Sequence, residues 1–506
     1  MNKHKKTRLA LAVFYMGILF VTGCFPEDSL EWSADGSIGL MRANKALYLV
    51  DGESGALTEV AKGGVQPWPD ISDNGKWIVY SEELQCKSLA EGLKLLPANQ
   101  VKRIKTHAEW MKKDIMVNGL RNGKLPQLLG KDLEYAEEYL DWVVCYLCET
   151  ADANFLGKLT DEIISEGKNK KLTYCRVVMA QCGQLNDKKI VATSVTTIFK
   201  TTFSPDFKHI AYLMVNPERS GGDDIPDKMS YQLYIASPEH KIAAMQIFTD
   251  VAFGYDWRED SRAIAFMHGE MQDDSPSIGA LREVEVADSN GVLLARTLDV
   301  AQGALATHTC QGHVQEPVGT LFYPWSKVEY GPGGRIFFAS LALSLPAVKH
   351  DDPKLSLFCY DPITKAVSNV LPLDLSDYIR ETMPAYQFSL SQDGKTVLLP
   401  LKKNRFVIYK LGSTSAEWPI NEDEGFGEDA VLELAPAWKG NDEISCLVSE
   451  DFLARQGVEK PSRKEIVVLR TNGEFKRVLS KNWPNSLQSK TTEKIAPAVP
   501  IEQLIQ

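Results

Sequence analysis

The chain reads as an all-β protein, a β-propeller of four-stranded antiparallel blades with an α-helical insert in its second blade, on three observations. A short turn motif recurs seven times along 506 residues, and a second pair of short alternating strands follows most of the copies. The one very long interval between copies carries helical periodicity in place of strand alternation. Four short strands per unit is the composition of a propeller blade, and repeats are sought first because they decide the fold.

The copies start at Trp32 (WSADG), Ile71 (ISDNGKWIVY), Phe203 (FSPDFKHIAY), Trp257 (WREDSRAIAF), Tyr330 (YGPGGRIFF), Leu390 (LSQDGKTVLL) and Trp438 (WKGNDEISCL). Each gives an apolar or aromatic anchor, a short polar turn and an alternating apolar strand. Asp35, Asn74, Asp206, Asp260, Gly333, Asp393 and Asn441 share one column of that turn. These residue types tolerate left-handed backbone or bond their own main chain in a tight hairpin. The outer pair of strands reads clearly in residues 46–60 and 465–479, each pair joined by a Gly-containing turn. Seven copies predict seven blades, with six or eight following if one drifted copy is no blade or one is missed.

The anchors are separated by 39, 132, 54, 73, 60 and 48 residues, whereas a compact blade takes about 40–45. The surplus falls between the second and third strands of a blade, or between one blade and the next. Both connections lie on one face of an up-and-down blade, so one face is bare and the other decorated. The largest surplus, residues 82–171, places Leu133, Ala136, Tyr139, Leu140, Val143, Val144 and Leu147 at helical spacing. The domain scheme is a leader at 1–23, the propeller at 24–480 with its insert at 82–171, and a tail at 481–506.

These motifs resemble the WD40-like repeats of the TolB family, whose pattern runs Trp/Phe-Ser-Pro-Asp-Gly-Lys before an Ile-Ala-Tyr/Phe strand. Residues 203–212 match it best, and the copies at Tyr330 and Trp438 have drifted. The resemblance implies a propeller and says little of function, because one fold hosts many activities.

The N-terminus carries Lys3, Lys5, Lys6 and Arg8, then an apolar run over residues 9–21 that is too short for a membrane span of about 20 residues. That is a signal-peptide profile. Val21-Thr22-Gly23-Cys24 resembles the bacterial lipobox, which implies that Cys24 is acylated and becomes the mature N-terminus. Phe25 after it favours the outer membrane, so the expected location is the bacterial cell envelope, lipid-anchored, facing the periplasm or the surface. Removing the four leader cations takes the formal net charge from −11 to −15. Such a surface repels nucleic acid and anionic lipid, so no nucleic-acid partner is expected. Eight cysteines remain after Cys24, an even number that permits disulfides without establishing any.

No Gly-x-Ser-x-Gly, His-Glu-x-x-His or phosphate-binding loop occurs, and no cofactor is expected. Cys145 and Cys148 lie within an apolar helical stretch and read as buried thiols or a disulfide. His308, Cys310 and His313 form one weak candidate binding cluster, and Asp223, Asp224 and Asp227 another, both in loops of the decorated face. Further acidic runs follow Gln272, His350 and Asn421. The expectation is a non-catalytic envelope scaffold that binds a protein, peptide or glycan partner. The alternative is a propeller enzyme, a hydrolase or lyase, with its site at the channel mouth.

Overall fold

The structure, a computed structural model, describes residues 28–480 apart from 121–122, 127–132, 136, 221–230, 238–243, 270–276, 290–291, 300–319, 323–326, 343–353, 371–387, 402–404, 414–433, 449 and 459–464. Seven antiparallel blades follow one another along the chain as a seven-bladed propeller, blades 4 and 5 running together in one nine-stranded sheet. Blade 1 comprises Ser29–Trp32, Ile38–Ala43, Ala46–Asp51 and Leu57–Ala61. Blade 7 comprises Ala437–Lys439, Glu443–Val448, Glu465–Arg470 and Phe475–Ser480. Blade 6 shows three strands among the described residues. The sheets of blades 4 and 5 are joined by Thr320–Phe322, which pairs with Ser277–Gly279 on one side and with Leu341 on the other.

The turn column works as its residue types require. Ser33 Oγ donates to Asp35 Oδ1 at 2.7 Å, the amide of Ser37 donates to the same oxygen at 3.0 Å, and Gly36 takes φ 67°. Ser72 and Asn74, Ser204 and Asp206, and Ser391 and Asp393 repeat the side-chain bond at 2.9, 2.8 and 2.7 Å. Blade 7 departs from the pattern. Its turn is shorter, with Lys439 opposite Glu443, and the left-handed residue is Gly440 at φ 69°. Asn441 therefore leaves the column and accepts a hydrogen bond from the amide of Asp393 in blade 6 at 3.2 Å.

The ring closes between blade 1 and blade 7, each of which is built from its own consecutive strands. Leu30, Met41 and Val50 share an apolar core with Leu447, Ile466 and Val468. Trp32 Nε1 donates to Ser445 Oγ at 2.8 Å, and Asp28 forms a parallel bridge with Leu434. Among the described residues closure is thus side-chain packing, side-chain hydrogen bonds and one bridge, with no strand shared between the two sheets.

Between Trp77–Gln85 and Thr173–Gln181 of blade 2, the chain forms helices Leu89–Leu95, Ala98–Asn118, Glu137–Thr150, Ala153–Leu156 and Asp161–Asn169. Ile104, Ala108, Met111 and Ile115 form the buried stripe of the longest helix at the spacing expected of one helical face. Helix Glu137–Thr150 begins later than the apolar spacing suggested. Leu133–Tyr135 is instead a strand paired with Glu218–Ser220 of blade 3, an example of tertiary pairing overriding local periodicity. Gln100 fastens the insert to the same joint, its Oε1 accepting from the amide of Val195 at 3.0 Å.

Candidate functional site

Period-2 alternation puts each anchor and the residue before it on opposite faces of the innermost strand. The anchors face the preceding blade: Trp438 Nε1 donates to the carbonyl of Ser389 in blade 6 at 3.1 Å. The residues before the anchors face the following blade. They are Glu31, Asp70, Thr202, Asp256, Glu329, Ser389 and Ala437, four acids in one column.

Three of those acids have an architectural task. The innermost strand is a sheet edge, with amides that no further strand pairs. Asp70 Oδ2 accepts from the amide of Phe203 at 2.7 Å, Asp256 Oδ2 from Tyr330 at 2.7 Å, and Glu329 Oε1 from Leu390 at 3.2 Å. Each donor is the anchor of the next blade, so these carboxylates staple blade to blade. Glu31 differs. Among the described residues its carboxyl has no hydrogen-bond partner, and it lines a cavity of about 120 Å³ with Trp68, Pro69, Lys200, Thr202, Phe253, Gly254 and Lys327.

The two lysines share a column, three residues before the anchors Phe203 and Tyr330. Lys200 is held in an unusual backbone conformation. A bulge separates Phe199 from Thr201, φ at Lys200 is 45°, and its amide donates to the carbonyl of Pro67 at 3.1 Å. Tyr255 donates its hydroxyl to the Lys200 carbonyl at 2.5 Å, while Lys200 Nζ sits 4.7 Å from the centre of the same ring. Lys327 Nζ pairs with Glu329 Oε2 at 3.2 Å. Trp68, itself at φ 58°, packs against Phe253 with ring centroids 5.6 Å apart and forms an aromatic wall.

Burial dominates the electrostatics. It raises Glu31 to about 7 against the opposing pull of Lys327 and Lys200. Asp256 rises to about 7 through burial and the neighbouring Glu329, and burial with Glu31 lifts Asp70 well above the carboxylate range. Lys200 falls to about 8 through burial and the nearby Lys327. A carboxyl and an amine that both titrate near neutrality can exchange protons with a bound molecule at little cost.

Cys24, His308, Cys310, His313, Asp223, Asp224 and Asp227 lie outside the described residues, as do the acidic runs after Gln272, His350 and Asn421. Cys145 and Cys148 are buried free thiols, and burial beside Glu149 raises Cys145 to about 12, so it stays protonated and unreactive. The channel site was missed although its signal was present, since aligning the seven anchors exposes the acidic column one residue before them. The positions of Lys200 and Trp68 depend on backbone irregularities that no alternation pattern encodes.

No protein-family model and no curated protein matches the chain. Among solved structures it is similar to the propeller domain of the Trilobed protease from Pyrococcus furiosus, at 11% identity and TM-score 0.41, covering 90% of this chain and 99% of that one. It is also similar to the acylaminoacyl peptidase of Pyrococcus horikoshii, at 10% identity and TM-score 0.41, where 93% of this chain covers 54% of that one, about half its length. An oligogalacturonate lyase in complex with manganese matches at 11% identity and TM-score 0.31, with coverages of 78% and 91%. These likenesses concern the propeller fold. The expectation that the chain is no enzyme is corrected here. Ionisable side chains from blades 1 to 5 converge on its own channel, an arrangement that a purely structural propeller does not require.

Proposed function

We propose that the chain is a cell-envelope lipoprotein, acylated at Cys24, whose propeller takes part of a peptide, glycan or protein partner into its central channel. The observation that carries this reading is the convergence of Glu31, Lys200 and Lys327 with the Trp68–Phe253 wall on one cavity. Ligand sites are commonly concave, largely apolar and fitted with a few convergent polar groups. A second reading, turnover of the bound molecule by proton transfer, is favoured by the values of about 7 for Glu31 and about 8 for Lys200.

The anchoring reading has its own support. Asp28 lies four residue steps after Cys24, a reach of at most about 14 Å. Asp28 Oδ1 accepts from the amide of Asn44, Lys45 next to it accepts from Val65, and Val65 bridges Glu82, where blade 2 departs for the helices. Asp28 and the root of the insert thus lie at one end of the ring, and a tether leaving Asp28 would hold that end towards the membrane.

Photocrosslinking tests the proposal. A benzophenone side chain at Phe253, in protein anchored in native membranes, is expected to capture an envelope molecule that the same group at exposed Ile363 does not. Glu31→Gln should reduce that adduct, and Cys24→Ser should release the protein into the soluble fraction. Equal adducts from both positions would rule out the channel as the binding site.

A further inference from the structure

We infer that the cavity is a carboxylate subsite: Lys200 and Lys327 bind the anion of a small organic acid or of a peptide C-terminus, and Trp68 and Phe253 hold the carbon skeleton beside it. The inference rests on the channel being the working site and names what it recognises.

Hydrogen-bonding capacity comes first. An ammonium has three N–H donors. Among the described residues Lys200 Nζ has no side-chain acceptor and lies only over the ring of Tyr255. Lys327 Nζ forms one ion pair, with Glu329 Oε2 at 3.2 Å, and lies over the ring of Phe388 at 5.6 Å. Two half-buried ammonium groups with unfilled donors therefore border the same cavity. A free cation is a poor occupant, because both lysines repel it. An anion fills the donors of both.

Backbone geometry comes second. Lys200 and Trp68, in neighbouring blades, are both non-glycine residues at positive φ and three residues before their anchors. Their backbones are tied together, the amide of Thr201 donating to the carbonyl of Trp68 at 3.1 Å. Such conformations cost on the order of 1–3 kcal/mol each and persist where the surroundings over-determine them, often at ligand sites. Here they bring an ammonium and an indole to the same cavity wall.

Size and polarity come third. A cavity of about 150 Å³ takes a benzene-sized guest, so about 120 Å³ holds a carboxylate with a short carbon chain. The aromatic wall distinguishes such a molecule from an inorganic anion, which has no apolar part to bury. Glu31 completes the site as a donor when protonated. The charged groups facing it are Lys200, Lys327, Asp70 and Glu329, with Asp256 beside Lys200. Glu31 and Asp256 take up protons as pH falls through 7, so the site gains positive charge and affinity should rise between pH 8 and pH 6.

The mature chain carrying Cys24→Ser, titrated calorimetrically with propionate, propionamide and inorganic phosphate, tests this. Propionate should bind, and propionamide at least tenfold more weakly. Lys200→Met and Lys327→Met should each weaken propionate tenfold or more, while Lys200→Arg retains binding and exposed Lys395→Met leaves it unchanged. Equal binding of propionate and propionamide, phosphate binding in place of propionate, or lysine variants that bind like wild type would overturn the inference. Trialanine that competes with propionate while its C-terminal amide does not identifies a chain terminus as the source. Propionate binding without such competition identifies a free acid. A selective Phe253 crosslink that survives failure of the propionate test would leave the channel as the site and remove only its carboxylate assignment.

Discussion

Glu31, Asp70, Asp256 and Glu329 occupy the same position in four blades, yet their surroundings give them different work. Asp70 holds the amide of the next blade's anchor at 2.7 Å. Asp70→Ala strands that amide at a sheet edge, and should lower stability by about 1–3 kcal/mol in denaturant unfolding, most of which Asp70→Asn restores. Glu31→Gln removes no hydrogen bond and relieves the burial of a carboxyl that titrates at about 7, so at pH 8 it should leave stability unchanged or higher. A Glu31→Gln loss comparable with that of Asp70→Ala would make Glu31 a fourth staple and end its candidacy as a site residue. The column itself was legible once the anchors were aligned. Which member faces a ligand was not, because that depends on whether a neighbouring amide lies within reach.

At the scale of elements, the hairpins followed from turn chemistry and the helix Glu137–Thr150 from its apolar spacing, since both signals are local. Exceptions arose where a distant segment competed. Leu133 fits a helical stripe but pairs with Ser220 of blade 3, and the shortened turn of blade 7 releases Asn441 to a neighbouring blade. Ring closure was also invisible in the sequence, because nothing in blade 1 or blade 7 marks them as neighbours. It relies on the Trp32–Ser445 bond and the shared apolar core. Trp32→Phe keeps the ring packing and removes the bond, at an expected cost of about 1 kcal/mol. Amide exchange should then quicken at Ser29–Trp32 and Ala437–Lys439 before it changes at Ile210–Val215 of blade 3. Uniform quickening across these strands would show that the joint is not the ring's weak point.

At the scale of the whole molecule, a chain of formal net charge −11 gathers two half-buried lysines into its channel. Interblade packing supplies the rigidity, and the carboxylate staples satisfy edge amides that would otherwise line the channel unpaired. That division leaves Glu31, Lys200 and Lys327 bordering one cavity where they serve a ligand, which is the central claim. Its most direct test is competitive acetylation of the mature chain across pH, read residue by residue by mass spectrometry. An amine whose protonated form is disfavoured by burial yields its reactive free base at lower pH. Lys200 should label with an inflection near pH 8, more than two units below the ordinary lysine value of 10.5, and propionate should protect it. An inflection at the ordinary value, or labelling that propionate leaves unchanged, would contradict the account.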